Sequence, residues 1–309
     1  MKIFSAFTFI LAAFVFVALF SSNTRNEAEP RLASESKINK ENSPLPQVIH
    51  GVDLKPGINL AGEEVPLDNF DAKERLEREF LVNSYWHSST VLFLKNANRY
   101  FPVIEPILAE EGVPDDFKYL AVAESALRNA KSPAGASGVW QFMKDPARNY
   151  GLEVNSEVDE RYHLEKSTRA ACKYLKESKR QFGSWTMAAA SYNMGGPRLK
   201  KLTENQKESS YYNLHMNAET ARYVFRIIAI KTIMTKPDQF GFYIEQDELY
   251  QPLTDTYSVE VSREIESWAD FAKEKGTTYR MLKVYNPWLR EPFLKNKSGK
   301  KYIVKIPRS

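Results

Sequence analysis

A glutamate lies on the apolar face of a short predicted helix, where a carboxyl group has unusual chemistry. The sequence from Val113 to Ser125 is typical of a helix, because Pro114 suits a first helical position and two acidic residues follow it in the first turn. Apolar residues repeat at helical spacing from Phe117, and Glu124 is the next member of that face. Burial and the negative end of the helix dipole both disfavour the carboxylate, so we expect a raised pKa for Glu124. A carboxyl that is protonated near neutral pH is what a general acid requires.

The helical pattern alone also allows Glu124 to point to solvent, because the phase of a helix is uncertain by a residue or two at its end. The sequence that follows favours a binding site. A loop of small residues with two glycines comes next, and glycine lets the backbone approach a ligand closely. Trp140, Gln141 and Phe142 then combine flat apolar surface with an amide, which is typical of sugar sites. Residues 125–144 contain no Asp or Glu, so a second catalytic carboxylate would have to come from elsewhere.

Two later helices carry tyrosines that bear on the same site. Ser184 is a good N-cap for a helix whose packed face ends at Tyr192, and a Gly-Gly-Pro run after residue 194 ends that helix. A packed phenol needs a hydrogen-bond partner, which is either the main chain of the core or another side chain. A further helix is predicted over residues 218–235, with Glu219 and Tyr223 on one face. Tyr223 is either a substrate contact or an ordinary packing residue.

Three blocks in order resemble a known family. They are Glu124-Ser125, the run from Ser132 to Gln141, and the run from Ala190 to Gly195. Together they look like the signature blocks of the soluble-lytic-transglycosylase domain, with the membrane-bound type D murein transglycosylases as the most similar subgroup. The similarity extends from about residue 80 to about residue 242, and the string at residues 219–224 also looks like a family segment near the cleft. The departures are Val-Trp at residues 139–140 where many members have Leu-Met, and Ser at residue 191 where many have Ala.

The resemblance implies a mainly helical, lysozyme-like domain that cleaves the β-1,4 bond between N-acetylmuramic acid and N-acetylglucosamine in peptidoglycan. It implies a reaction without water, in which the C6 hydroxyl of muramic acid attacks its own anomeric carbon and leaves a 1,6-anhydro end. One glutamate acts as acid and then as base, and by motif match it is Glu124. Tyr192 matches the tyrosine that hydrogen-bonds this glutamate, and Asn193 lies beside it. Ser132 and Gln141 match substrate-contacting positions.

The implied mechanism agrees with the scarcity of carboxylates in the motif region. Ordinary glycosidases use two carboxyls that flank the bond, whereas an internal hydroxyl replaces the second one, with an effective molarity on the order of 10⁵ M or more. One alternative is a lysozyme-type muramidase, in which Glu165 or Glu219 would position a water molecule. Another is a non-catalytic cell-wall-binding protein, and the intact Glu124, Gln141 and Tyr192 argue against it.

Composition and charge exclude other classes of function. The chain has 309 residues, a single cysteine and a net charge of +4 with mixed signs, so an intrachain disulfide is impossible and nucleic-acid binding is not indicated. Cys172 lies in a helical pattern without a base partner and is interpreted as a buried structural thiol. The four histidines are scattered without metal-ligand spacing, so we expect no metal and no cofactor. Arg161 and His163 are interpreted as surface or structural residues.

The N-terminal part is expected to direct the chain out of the cytoplasm. Residues 1–20 are largely apolar after Lys2, with a length that fits both a cleaved signal peptide and a membrane anchor, and no cysteine follows for a lipid anchor. Residues 21–66 are polar with scattered prolines and are predicted to be a disordered linker. We therefore expect a cell-envelope protein, soluble in the periplasm or anchored, with peptidoglycan glycan strands as partner and the membrane as a second contact if the anchor is retained.

The rest of the chain divides into a helical catalytic domain at residues 67–250 and a small α+β module at residues 251–309. The module reads as strand, two short helices and strand, from Thr256 to Ile306, and this β-α-α-β order resembles a LysM glycan-binding module. Ser262-Arg263-Glu264 stands where that family usually has a Gly-Asp pair after the first strand. We therefore expect a module that folds autonomously and adds only weak glycan affinity.

Overall fold

The computed structural model describes residues 51–308, which form a helical domain followed by a small C-terminal module. The strands are β1 (Asn59–Leu60), β2 (Glu63–Glu64), β3 (Thr256–Val261) and β4 (Tyr302–Pro307). The helices are α1 (Phe70–Tyr85), α2 (His87–Glu110), α3 (Lys118–Ser125), α4 (Lys144–Asn149), α5 (Leu164–Phe182), α6 (Trp185–Met194), α7 (Gly196–Gln206), α8 (Ala218–Thr235), α9 (Trp268–Glu274) and α10 (Tyr279–Tyr285). The predicted signal peptide or anchor over residues 1–20 lies outside the described residues. Within residues 51–308, every helix is too short or too polar to cross a membrane.

Helix α8 is the centre of the helical domain. It is apolar on most of its circumference, and such a helix is stable only when other elements cover it. Helices α1, α3 and α6 pack against it, and the side chains of Phe225, Ile227 and Ile228 are fully buried there. Its observed bounds are those predicted from the sequence, and Asn217 caps its first turn by accepting a hydrogen bond from the amide of Thr220 at 3.0 Å.

The short helix that carries Glu124 forms much as the sequence indicates. Pro114 precedes a 3₁₀ turn at Asp115–Phe117, and the α-helix proper begins at Lys118 rather than at the proline. Ser184 caps α6 as predicted, because its hydroxyl accepts a hydrogen bond from the amide of Met187 at 3.1 Å. The two helices with the predicted catalytic residues therefore begin at sites that local sequence specifies.

The last part of residues 21–66, the range predicted to be a disordered linker, contains two short strands. Strands β1 and β2 pair as a tight antiparallel hairpin against α8, with the side chain of Leu60 fully buried. The carboxylate of Glu63 accepts hydrogen bonds from the amides of Trp185 and Thr186 at 2.6 and 2.8 Å, at the start of α6. A carboxylate satisfies the free N–H groups at a helix N-terminus, so the hairpin fixes α6. Residues 21–50 lie outside the described part of the chain.

The C-terminal module has the predicted β-α-α-β order, with β3 and β4 paired antiparallel along six residues each. Trp268, Leu282 and Ile306 are fully buried in its core. Val158 and Tyr162 of the helical domain belong to the same core cluster. The apolar core of the module is thus shared with side chains from the other domain, and autonomous folding of the module stays a prediction.

Candidate active site

The carboxyl group of Glu124 lies in the last turn of α3, facing α8. It is part-buried, and removal from water raises its pKa to about 7. The hydroxyl of Tyr223 donates a hydrogen bond to its Oε1 atom, which partly opposes that rise. The predicted raised pKa is therefore found, and burial is its main cause.

The hydrogen-bond partner of Glu124 differs from the predicted one. The hydroxyl of Tyr192 donates instead to the main-chain oxygen of Trp140 at 2.7 Å, so the predicted bond from Tyr192 to Glu124 is wrong in this structure. Tyr223, which is 2% exposed, takes that position. Burial and the nearby charge of Glu124 raise the pKa of both tyrosines well above the usual range, so both remain neutral hydroxyl donors.

Asn193 is tied to the same helix as Tyr223. Its Oδ1 atom accepts a hydrogen bond from the hydroxyl of Thr220 at 2.8 Å. Thr220 lies three residues before Tyr223 on α8, and residues at this spacing share a helix face. Asn193 thus joins the end of α6 to the start of α8 beside the glutamate. Sequence analysis did not identify Thr220, because a threonine in the first turn of a helix is unremarkable by itself.

The loop at residues 131–142 carries Ser132 and Gln141, two of the four predicted substrate contacts. Ser132 accepts a hydrogen bond from the amide of Ala136 at 3.0 Å, which closes a tight turn. Gln141 has a left-handed backbone, with φ of 48°, and its Nε2 atom donates to the main-chain oxygen of Gly138 at 2.7 Å and to that of Ala130 at 3.2 Å. Both side chains are part-exposed, so both are accessible at the surface of the loop. Some of their hydrogen-bonding atoms also bind the main chain of the loop and hold its shape.

The aromatic residues of this loop are not the sugar platform suggested by the sequence. Trp140 is fully buried, and its indole donates to the hydroxyl of Thr168 at 2.8 Å. Phe142 is also buried and packs edge-on against the ring of Tyr192. These rings anchor the loop to α5 and α6, so their packing role replaces the predicted stacking on a ligand.

Ser125 joins the end of α3 to the loop. Its buried hydroxyl lies 2.8 Å from the main-chain oxygen of Val139, to which it donates. The chain then turns through Ala126 and Leu127, both left-handed with φ of 56° and 55°. Such a conformation costs about 1 kcal/mol or more for a residue with a side chain. The Nδ2 group of Asn96 donates to the main-chain oxygen of Ala126 at 3.1 Å and helps to hold this turn.

Charged groups on α8 and α1 surround the Glu124–Tyr223 pair. Arg226 pairs with Glu219 at 2.9 Å and lies 3.5 Å from Glu79, whose side chain is almost fully buried. The positive charge of Arg226 lowers the pKa of Glu124 and the negative charge of Glu219 raises it. Because both carboxylates hold Arg226, its guanidinium is neutralised locally and does not convert Glu124 into a permanently ionised group.

The two carboxylates considered as water-positioning groups are both held by cations. Hydrogen bonds from Arg226 lower the pKa of Glu219. Burial would raise the pKa of Glu165, but Lys305 and His163 beside it hold that pKa well below its usual range. A carboxylate of low pKa is a weak base, so neither group is suited to activating water.

The loss of activity at high pH distinguishes the role of Tyr223 from that of Tyr192. Tyr223→Phe should raise the pKa of Glu124, because the lost hydrogen bond favours its charged form, so activity should persist to higher pH than in the wild type. We expect kcat to fall by about 10- to 100-fold, roughly what a positioning hydrogen bond to a charged group provides. Tyr192→Phe removes a bond to the main chain of the loop and should leave the profile in place. Measured rates between pH 5 and 9 test both, and a profile that moves only in Tyr192→Phe would reverse the assignment.

Two parts of the chain match known protein families. Residues 102–215 match the family described as Transglycosylase SLT domain, and residues 257–309 match the Soluble lytic transglycosylase C-terminal LysM-like domain. The mainly helical fold and the β-α-α-β module agree with these matches and with the sequence resemblance.

Similar proteins bear related descriptions. A relative named Membrane-bound lytic murein transglycosylase D, from Escherichia coli strain K12, is 26% identical over 264 residues, which cover 84% of this chain and 54% of the relative. A Putative tributyltin chloride resistance protein of Alteromonas sp. strain M-1 is 27% identical over 133 residues, covering 42% of this chain and 62% of that protein. A solved lytic transglycosylase, Slt from Pseudomonas aeruginosa, aligns with a TM-score of 0.35 and 19% identity over 50% of this chain and 26% of its own. The chain thus spans about half the length of the Escherichia coli relative.

Proposed function

We propose that this chain, which carries an SLT domain and a LysM-like module, is a peptidoglycan lytic transglycosylase. The observation that carries the proposal is the carboxyl of Glu124, whose pKa is raised to about 7 at the matching motif position. The name of the Escherichia coli relative, a murein transglycosylase, supports the same substrate class. The catalytic role of Glu124 and the contacts assigned to Ser132, Gln141 and Asn193 remain proposals.

In the proposed reaction Glu124 gives up one proton in the first step and takes up another in the second. Its protonated carboxyl donates a proton to the oxygen that links C1 of N-acetylmuramic acid to C4 of N-acetylglucosamine. The bond between C1 and that oxygen then breaks. The resulting carboxylate accepts the proton of the C6 hydroxyl as this oxygen bonds to C1. Glu124 ends in its starting state and no water is consumed. A group with a pKa near 7 is suited to both proton transfers, because it releases and recovers a proton with similar free-energy changes near neutral pH.

Tyr223 fits this cycle as a positioning residue. Its hydroxyl binds the carboxyl and favours the charged form, so it stabilises the carboxylate that appears between the two proton transfers. The alternative role for this residue, a direct sugar contact, is not favoured because its side chain is 2% exposed.

The main rival is a lysozyme-type hydrolase on the same fold. It requires a second carboxylate near the bond, which acts as general base or as nucleophile. The candidates Glu165 and Glu219 both have lowered pKa values and strong cationic partners, which supports the transfer to an internal hydroxyl over hydrolysis. A non-catalytic wall-binding protein would not need a carboxyl of raised pKa at the motif position.

Product mass decides between the two reactions. Purified sacculi should be digested with the full chain, and the muropeptides analysed by mass spectrometry. We expect 1,6-anhydromuramic acid ends, which are about 18 Da lighter than hydrolysed ends because no water is added. Glu124→Gln protein in the same digest controls for contaminating enzymes. Hydrolysed ends as the main product would establish the muramidase instead, and no release by an intact fold would support the wall-binding alternative.

The proposed substrate also fits a location in the cell envelope. The Escherichia coli relative is named as membrane-bound, and peptidoglycan lies outside the cytoplasm. Whether residues 1–20 are cleaved or retained as an anchor remains a prediction for a part of the chain that lies outside the described residues. Cell fractionation followed by N-terminal sequencing distinguishes a cleaved from an anchored form.

A further inference from the structure

The C-terminal module contacts the helical domain along a short segment, residues 153–163. Val158 forms an antiparallel bridge with Leu289, and the amide of Asp159 donates to the main-chain oxygen of Trp288 at 2.9 Å. On the other side of the bridge, the amide of Arg290 donates to the main-chain oxygen of Glu157 at 2.8 Å. The segment is therefore paired with the module almost as an added strand.

Side chains extend this junction on both sides. The guanidinium of Arg290 lies 4.1 Å from the centre of the Tyr162 ring, and the carboxylate of Glu157 accepts a hydrogen bond from the amide of Lys295 at 2.7 Å. Lys305 on β4 pairs with Glu165 in the first turn of α5. These contacts restrict the position of the segment from the side of the module.

The opposite face of the same segment holds the 131–142 loop through Arg161. Its guanidinium pairs with Asp159 by two hydrogen bonds of 2.9 and 2.7 Å, and Nη1 donates to the main-chain oxygens of Gly135 and Phe142 at 2.9 and 3.1 Å. The side chains of Arg161 and Asp159 are only 8% and 9% exposed, so water does not replace these bonds readily. One buried guanidinium thus ties the middle of the loop, at Gly135, and its end, at Phe142, to the residue whose amide binds the module.

We propose that the C-terminal module positions the active-site loop, with Arg161 as the positioning residue that transmits the contact. The path runs from Trp288 to Asp159, through Arg161, to the carbonyls of the 131–142 loop. The inference rests on the proposed function only in taking this loop as part of the substrate site. It gives the module a role in the catalytic reaction that is separate from any affinity for glycan.

The test measures loop protection directly by hydrogen exchange in the full chain, together with kinetics on short soluble glycans. Arg161→Lys keeps the positive charge but loses the planar fork that bridges Asp159 and two carbonyls. The amides of Ser137 and Gly138, which bond to the oxygens of Phe142 and Ala130, should exchange about tenfold faster or more. We expect KM to rise about fivefold or more and the pH profile to stay in place, because Glu124 and Tyr223 lie on α3 and α8.

The contribution of the module is isolated by a matched pair of double variants. Arg290→Ala with Lys305→Met removes two cationic contacts across the junction. Arg280→Ala with Lys301→Met removes the same two residue types from exposed positions of the module, where Lys301 pairs with Glu260 of the module itself. The junction variant should speed exchange in the loop at least about threefold, and the control variant should not.

Each result of the exchange measurements either supports or overturns the proposal. Equal loop exchange in the two double variants would overturn the role of the module, and unchanged exchange in Arg161→Lys would overturn the role of the arginine. Exchange at β3 and β4 reports whether the module itself has unfolded, and in that case Arg290→Ala alone is compared with Arg280→Ala. Exchange needs no turnover, so altered loop protection in a protein without transglycosylase activity would leave the coupling intact and reject the proposed function alone.

Discussion

Glu124→Gln is expected to abolish turnover while the protein remains folded and able to bind glycan. The substitution keeps the shape of the side chain, and its amide oxygen can still accept the hydrogen bond from Tyr223. An amide cannot donate and recover a proton at neutral pH. General acid–base catalysis is typically worth about 10²- to 10⁴-fold, so we expect less than about 1% of wild-type activity on sacculi.

The same substitution should make the protein more stable at high pH. The pKa of Glu124 rises from an ordinary 4.5 to about 7 on folding, so the native state binds this proton more tightly than the unfolded chain does. The resulting stabilisation is fully present below pH 4.5 and is lost as the pH rises through about 7. At pH 8 the wild type bears a part-buried charge that the variant lacks, and we expect the variant to be more stable by about 2–3 kcal/mol.

Urea unfolding at pH 5 and pH 8 measures this difference. The gap between variant and wild type should be small at pH 5 and large at pH 8. Glu219→Gln is a suitable comparison, because its carboxylate has a lowered pKa and its loss should not stabilise the protein at high pH. Residual activity above about 1% in a folded Glu124→Gln protein would show that another residue is the acid. A stability gap that does not depend on pH would contradict the raised pKa.

Local sequence rules were sufficient for the elements that carry the site. The position of Glu124 near the end of a short helix followed from apolar spacing and Pro114, and the cap at Ser184 followed from residue type. The order of strands and helices in the module was also readable, because alternating and helical apolar patterns differ in period.

Hydrogen-bond and packing partners that lie far apart in sequence could not be predicted in the same way. The hydroxyl of Tyr192 was assigned to Glu124 from the family resemblance, whereas the packing of α6 directs it to the carbonyl of Trp140. Tyr223 lies 99 residues from Glu124 in sequence, and nothing in its own neighbourhood distinguishes a buried partner from a sugar contact. Trp140 and Phe142 have the composition of a sugar platform, and only the folded structure shows that α5 and α6 cover them.

Contacts between the predicted segments of the chain could not be read from the sequence for a related reason. A polar, proline-containing stretch predicted a linker that reached residue 66, but Leu60 and Glu63 within it make specific contacts with α8 and α6. Residues 153–163 showed no sign in sequence that they complete the core of the module through Val158. The hairpin lies before the matched SLT domain and residues 153–163 lie within it, and both fix helices or loops of the active site through long-range contacts.

At Gly138 the main chain of the loop lies against the main chain of the 153–163 segment. Its backbone has φ of 80°, and a Cβ atom there would lie 1.9 Å from the main-chain oxygen of Arg161. The loop and the 153–163 segment therefore approach as closely as a glycine allows. Gly138→Ala is expected to separate them and to destabilise the protein by about 3 kcal/mol or more, because main chain rather than a flexible side chain must move.

Gly135→Ala is the matched control, because Gly135 lies in the same loop with φ of 91° and has no atom within 4 Å of an added Cβ. It carries the conformational penalty of a left-handed alanine, about 1–2 kcal/mol, without the collision. The difference between the two variants in the free energy of unfolding, measured in urea, thus isolates the effect of the collision. Activity should follow the same order, with Gly138→Ala far below Gly135→Ala, since the hydrogen bonds from Arg161 to the carbonyls of the loop require the same approach. Equal loss of stability in the two variants would mean that backbone conformation, and not contact with Arg161, is what the glycine at position 138 provides.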